Sequence, residues 1–136
     1  MTKSSKSALA LHYAHALQKA RPNFAWKNNL IHAWQRVRFH EMLRTQVLRF
    51  TYIKKNGMAR IAYGTLRPDL IPEDQKPQGC PEYTPNYAAM PYYDLVRNEW
   101  RSFSINHAPM SVCTCHAVWI PEDGQDRRVV EGNELI

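Results

Sequence analysis

The chain has 136 residues, with 18 Lys and Arg against 12 Asp and Glu, for a formal net charge of +6. That length suits one domain, or a small domain with an appendage, and is enough to bury an adequate core. No apolar run nears the about 18 residues of a membrane span and no signal-peptide pattern opens the chain. Three cysteines suit a reducing compartment better than a disulfide framework, so a cytoplasmic protein with no membrane partner is expected.

The charge is divided unevenly. Residues 1–67 hold 13 Lys/Arg and one acid, Glu41, for a net +12; residues 68–136 hold five Lys/Arg and 11 acids, for a net −6, which together restore the +6 of the whole. A basic half beside an acidic half points to a polyanion-binding surface next to a region that faces something else. The same charges also serve an ordinary solvated surface.

The basic half opens with two similar helical segments. His15-Ala16-Leu17-Gln18-Lys19-Ala20 is echoed by His32-Ala33-Trp34-Gln35-Arg36-Val37. The apolar sets Leu9, Tyr13, Ala16, Leu17, Ala20 and Trp26, Leu30, Ala33, Trp34, Val37 both follow helical spacing, and that stripe makes Trp26 and Trp34 core anchors. Ser4, Ser5 or Ser7 is expected to cap the first helix and Asn23 the second, with the break enforced at Pro22. So short a connection predicts an antiparallel helical hairpin or a helix-turn-helix-like corner. Away from the stripe lie Lys3, Lys6, Lys19, Lys27, Arg36, Arg38 and Arg44, with Asn28, Asn29, His32 and Gln35 among the second helix's cations. Cations neutralise phosphates and amides reach base edges, the mixture a groove-binding helix needs.

Strands follow. Leu48, Phe50 and Tyr52 alternate with Arg49 and Thr51, the period of a half-buried strand. Asn56-Gly57 predicts a type I′ hairpin turn into the run Ala59 to Leu66. Residues 91–105 repeat the pattern of strand, short polar turn and strand, and short strands of this kind read as a compact barrel. Between the pairs, residues 67–90 carry Pro68, Pro72, Pro77, Pro81 and Pro85 and read as a long loop, wrapping a barrel edge or meeting a partner. Val118-Trp119-Ile120 is a candidate closing strand, and the polar, acidic stretch 121–136 reads as a weakly patterned tail.

The order Phe50-x-Tyr52, Lys54-Lys55-Asn56-Gly57, Gly64-Thr65-Leu66, Ile71-Pro72, Tyr92-Tyr93-Asp94-Leu95 and Trp100-Arg101-Ser102-Phe103 resembles WYL-like proteins with an Sm-like SH3 β-barrel. These occur in gut bacteria, their phages and mobile elements. The resemblance covers about residues 46–107 and implies a small barrel; Arg101-Ser102-Phe103 matches the Arg-x-Phe element of the family's last strand pair. Ala88-Ala89-Met90 stands where a WYL domain carries its Trp-Tyr-Leu signature, a departure that bears on any ligand-sensing role.

Catalytic signals are absent: no Gly-rich phosphate loop, nucleophile elbow or HExxH occurs. Cys113-Thr114-Cys115-His116 lacks the spacing of a structural zinc site, leaving only Cys80 and His107 as further ligands, and its cysteines read better as one buried strand face. Neither metal, cofactor nor enzymatic activity is expected. The sequence thus predicts an α+β chain: a basic two-helix segment over 1–45, an SH3-like (Sm-like) antiparallel β-barrel over 46–120 and the tail 121–136. The function expected is a nucleic-acid-binding accessory or regulatory protein of a bacterium, phage or mobile element, acting on DNA or RNA. Its phosphate contacts are assigned to Lys27, Arg36, Arg38, Arg44, Lys54, Lys55 and Arg60, with Arg101 as a second barrel contact. Two alternatives stand beside it: a protein-interaction or virion-associated module that uses the barrel and Pro/Tyr loop and forms a homo-oligomer or holds a partner, and a WYL-like sensor of a small effector.

Overall fold

The computed structural model describes residues 3–76, 87–118 and 128–134, with side chains over 6–76 and 87–115. Helix α1 spans Lys3–Ala20 and helix α2 spans Trp26–Thr45. Six strands follow: β1 Val47–Ile53, β2 Ala59–Thr65, β3 Ala89–Asp94, β4 Glu99–Ser104, β5 Met110–Val118 and β6 Arg128–Glu134. They make one antiparallel sheet in the order β4-β3-β2-β1-β5-β6, so the chain meanders from β1 to β4 and then returns to pair β5 with the free side of β1. The α+β class is as read from the sequence. Barrel closure is not: β4 and β6 end the sheet and do not pair, leaving it open. β6 falls inside the stretch read as a tail, while Trp119 and Ile120 lie outside the described residues.

Alternation along β1 is as expected, with Leu48, Phe50 and Tyr52 buried. The hairpin turn is of another kind. A type I′ turn needs positive φ at both central residues, yet only Gly57 has it (φ +86°). Gly57 N–H donates to Lys54 O at 2.9 Å and Lys54 N–H to Met58 O at 2.8 Å. The connection is therefore three residues long and closes on a left-handed glycine, the next commonest hairpin solution. The β3–β4 turn is built around buried Asp94, whose Oδ1 accepts from the N–H groups of Val96 and Arg97, each at 3.0 Å. Pro91 is tolerated inside β3 because the β2–β3 ladder is confined to Gly64 with Asp94 and Thr65 with Tyr93, leaving Pro91 no ladder donor to supply on that side.

One face of the sheet packs against the helices through an aromatic cluster. Phe50 meets Phe39 of α2 at 5.0 Å and Tyr92 at 5.1 Å, both edge-to-face, and Tyr52 stacks on Phe103 at 5.1 Å. The other face buries Val47, Tyr93, Leu95 and Cys115 under Ile71, carried by the start of the long loop. That loop is not featureless: Pro68–Leu70 and Glu73–Gln75 are single 3₁₀ turns, and Trp100 Nε1 donates to Gln75 O at 2.6 Å. Its opening covers a sheet face rather than an edge. Pro77, Pro81, Tyr83 and Pro85 lie outside the described residues, whereas Tyr87 stacks on His12 with ring centroids 4.3 Å apart.

The helices bear on the sequence reading in three respects. First, α1 begins at Lys3, so the serines lie within its opening turns, and α2 is capped by Ala25 rather than Asn23, with no side-chain cap. Second, α1–α2 side-chain contacts pair His15 with Trp26, Gln18 with Asn29 and Arg21 with His32, a constant separation of eleven. These three contacts do not by themselves establish the antiparallel hairpin that the short connection predicts. Third, α2 is rotated from its expected stripe. Asn29, Ala33, Arg36, Val37, Phe39 and Leu43 face inward, while Trp26 (40% exposed) and Trp34 (43%) face out and are not core anchors. The aromatic sheet already fills the volume under α2, and small Ala33 rather than Trp34 suits the close approach of α1.

Gly64 sits where β2 crosses the aromatic cluster. A Cβ there would lie 2.6 Å from Tyr92 Cδ2 and 3.1 Å from Phe50 Cε1, both ring atoms held by neighbours on every side. Gly64→Ala is therefore expected to destabilise the chain by about 1–3 kcal/mol, the range for overpacking. A urea unfolding curve that matches wild type would show that the rings give way freely.

Candidate nucleic-acid interface

The structure sorts the eight cations singled out in the sequence by what surrounds them. Lys54, Lys55 and Arg60 are brought together at the β1–β2 hairpin, because residues 53 and 59 pair at the end of the ladder. With Ser102 and Ser104 of β4, and His107 just beyond it, they line a cleft of about 500 Å³. None of its lining residues is an acid. Lys54 and Arg60 are half-buried and Lys55 is exposed, so the cleft offers fixed charges at its wall and a mobile one at its mouth.

Tyr52 lines the cleft, and Tyr92 lies buried behind it. Their hydroxyls lie 2.7 Å apart in the interior. Burial, and then the hydrogen bond with Tyr52, pushes the Tyr92 phenol well above its ordinary value, so it stays neutral and adds no negative charge. Slight burial works against the Arg60 charge, but the hydrogen bond with Tyr52 and the neighbouring oxygens outweigh it, and Arg60 lies above its usual value. A fixed guanidinium of this kind can donate to a phosphate without first being ordered.

The remaining five stand elsewhere. Lys27 and Arg38 are exposed on α2 and do not reach the cleft. Arg44 is exposed and lies 3.6 Å from the Glu41 carboxylate. Arg101, half-buried on β4, is ion-paired with Glu99 and is not among the residues that line the cleft. Arg36 is not a surface cation at all: it is 3% exposed, and its Nε and Nη2 donate to Ile105 O at 3.2 and 3.1 Å. A guanidinium held in this way cannot reach a nucleic-acid backbone, so Arg36 leaves the set of phosphate contacts. The base-reading set loses members for the same reason. Asn29 is buried and donates to Gln18 Oε1 at 2.7 Å, and His32 Nδ1 accepts from Arg21 Nη2 at 2.9 Å. Sequence reasoning missed His107, Ser102 and Ser104; nothing in a Ser-Ile-Asn-His turn announces that it folds back beside a hairpin forty-odd residues earlier.

An open antiparallel sheet of this order, flanked by a helix, is the architecture of a small Sm-like domain. Residues 37–107 match the model of the WYL_2 family, described as an Sm-like SH3 β-barrel fold. The match spans just over half of the chain, taking in the second half of α2 and strands β1 to β4, and the chain belongs to that family. No curated protein and no solved structure gives a significant match. Ala88 and Ala89, which stand at the place of the Trp-Tyr-Leu signature in the sequence comparison, line the same cleft as Lys54 and Arg60. Small side chains there leave it open. Among the described residues no group of three or more His, Cys, Asp or Glu is placed to hold a metal ion, and no helix is long and apolar enough to cross a membrane. Cys113 and Cys115 are buried on β5, and Cys80 lies outside the described residues.

The histidines of α2 give the chain a pH dependence. Burial, and then the Arg21 and Arg36 charges, hold His32 below its usual pKa; burial and Arg44 do the same to His40 against the opposing pull of Glu41. Unfolded histidine takes up its proton near pH 6.5 and the folded groups only below that, so the unfolded state binds more protons on acidification. The stability they contribute is complete above about pH 6.5 and is lost as pH falls below it. The urea midpoint should therefore drop between pH 7.5 and pH 5.5, above the range where carboxylates titrate. A midpoint that holds or rises would mean that these rings are charged in the folded chain.

Proposed function

We propose that this chain is a non-enzymatic nucleic-acid-binding module of regulatory or accessory type, which holds phosphates in the cleft of Lys54, Lys55, Arg60 and His107. The observation that carries the reading is the lining of that cleft: three cations and a histidine converge with two serine hydroxyls, and no acid is among them. Nucleic-acid affinity rests chiefly on neutralised phosphates, and hydroxyls beside cations serve as the neutral partners of phosphate oxygens. Membership of the WYL_2 family supports a regulatory role for the domain. The reading differs from the sequence expectation in where the polymer lies. It runs over the hairpin cleft, with Lys27 and Arg38 as outlying contacts, rather than along a recognition helix on which Asn29 and Arg36 are already engaged within the protein.

A second reading has its own support. Phe24, Trp26, Ile31 and Trp34 are each between 40% and 49% exposed around the α1–α2 corner, more apolar surface than a small monomer scatters at random. Such a surface suits a protein-interaction module, and it leaves the cleft free.

Anisotropy titrations against single- and double-stranded DNA and RNA should show binding that weakens steeply with salt. Three engaged phosphates give a slope of log K against log salt of about −2 to −3. The double substitution Lys54→Glu/Lys55→Glu should lower affinity at least tenfold and flatten the slope by about 1.5 to 2. Arg44→Gln and Arg101→Gln, whose carboxylate partners already occupy them, should change little. Absence of binding to all four polymers at low salt from folded protein would turn the assignment to the protein-interaction reading.

A further inference from the structure

Arg36 is the buried one among the five singled-out cations that stand away from the cleft. Its side chain is buried between α2 and the turn after β4, and no carboxylate among the described residues pairs with it. Two of its nitrogens share one acceptor, Ile105 O, and Nη1 has no hydrogen bond to a described residue. Arg21 stands close enough to act on it and adds positive rather than negative field. An unpaired charge taken out of water is among the most expensive things a fold can hold, and it persists where something of opposite sign completes it.

That something has a place to sit. Arg36 lines a cavity of about 440 Å³, separate from the hairpin cleft, which α2 and the turn after β4 enclose between them. Gln35, Arg38, Phe39 and Met42 are spaced i, i+3, i+4, i+7 and so present one side of α2 to it, while Pro109 forms the opposite wall. The polar groups are two guanidiniums and one amide, all able to donate; the rest of the wall is ring, thioether and aliphatic carbon. The size lies within the about 300–1,000 Å³ of small-molecule sites, and the make-up, mostly apolar with few convergent donors, is theirs also.

We propose that this cavity binds a small organic anion, with its carboxylate or phosphate against Arg36 and Arg38 and its apolar body between Phe39, Met42 and Pro109. Such a ligand completes the hydrogen bonding of Arg36 and joins α2 to the turn after β4, two parts of the chain that otherwise meet there mainly through the Arg36–Ile105 contact. The site is independent of the phosphate-binding cleft: the two have no lining residue in common.

The test is a heteronuclear NMR titration of the full ¹⁵N-labelled chain with benzoate, phenyl phosphate and, as the neutral counterpart, benzamide. Benzoate or phenyl phosphate should give saturable shifts at the Phe39 and Ala108 amides and at the Arg36 Nε–H, and benzamide should not. Arg38→Gln, at an exposed position, should weaken binding roughly tenfold, as loss of a charge-assisted contact does. Met42→Trp should abolish it by filling the cavity while leaving the Arg36–Ile105 contact in place, which the retained Arg36 Nε–H resonance reports. Lys54→Glu/Lys55→Glu should leave it unchanged. The proposal is overturned if neither anion gives saturable shifts, if benzamide shifts the same resonances equally, or if the lysine pair rather than Arg38 and Met42 controls the effect.

Discussion

Two hydrogen-bonded anchors seat α2 on the sheet, and most of what the molecule can do depends on them. At mid-helix Arg36 grips Ile105 O with two nitrogens. About two turns further on, the carbonyl end of the helix is tied down where Leu43 O accepts from Leu66 N–H at 2.7 Å and from Thr65 Oγ1 at 3.2 Å. Thr65 also donates to Gln46 O at 2.9 Å, in the link between α2 and β1. The last carbonyls of a helix have no partner within it, so the sheet here satisfies groups that would otherwise need water. Two anchors about two turns apart, on the same side of the helix, fix its rotation as well as its position. Once Arg36 and Leu43 are inward, the helical period places Ile31, Trp34 and Arg38 outward.

The same seating shapes both cavities. Phe39, held inward between the anchors, wedges against Phe50 and Phe103 and leaves Phe103 as part of the wall of the hairpin cleft. On its other side α2 leans over the turn that carries Ile105 to Pro109, and the second cavity opens beneath it. β1 sets the opposite limit. It pairs with β2 on one side and β5 on the other, and its register against β5 shifts between Arg49 and Thr51. A bulge increases local twist and re-aims the residues beyond it. Here those residues are the hairpin end that brings Lys54 and Lys55 beside β4.

What could be read in the sequence followed the range of the interactions involved. The alternation of Leu48, Phe50 and Tyr52 reports a strand because each residue is placed by its own neighbours two positions away. The Asn56-Gly57 hairpin was legible as a hairpin, but its turn type was not, since Asn56 accepts from Met58 N–H at 3.0 Å rather than adopting a left-handed conformation. The inner face of α2 was misread because helical spacing is satisfied by two overlapping stripes, and only the shape of the sheet decides between them. Trp34 fits the richer apolar stripe, yet Ala33 and Arg36 fit the space. A lone arginine among surface cations carries no mark of burial; its acceptor, Ile105 O, is 69 residues away along the chain. The cleft is half legible for the same reason. Lys54, Lys55 and Arg60 are neighbours on one hairpin, whereas Ser102, Ser104 and His107 arrive through the β3–β4 return.

Charge asymmetry along the chain acquires a structural meaning once each cation is matched with the acids near it. Arg44, Arg67, Lys76, Arg97 and Arg101 each have a carboxylate two or three positions away and each is paired with it. Lys54, Lys55 and Arg60 have no acid within eight positions in sequence, and the acid nearest Arg36 is Glu41, which lies against Arg44 instead. A surface pair adds little to stability, but it sets a threshold for any phosphate that would replace the carboxylate. Cations without a local acid present no such threshold. The basic half of the sequence is thus not one surface: the fold gathers Lys54, Lys55 and Arg60 at an acid-free cleft, turns Arg36 and Arg38 toward a second cavity, and leaves Lys27 apart on α2.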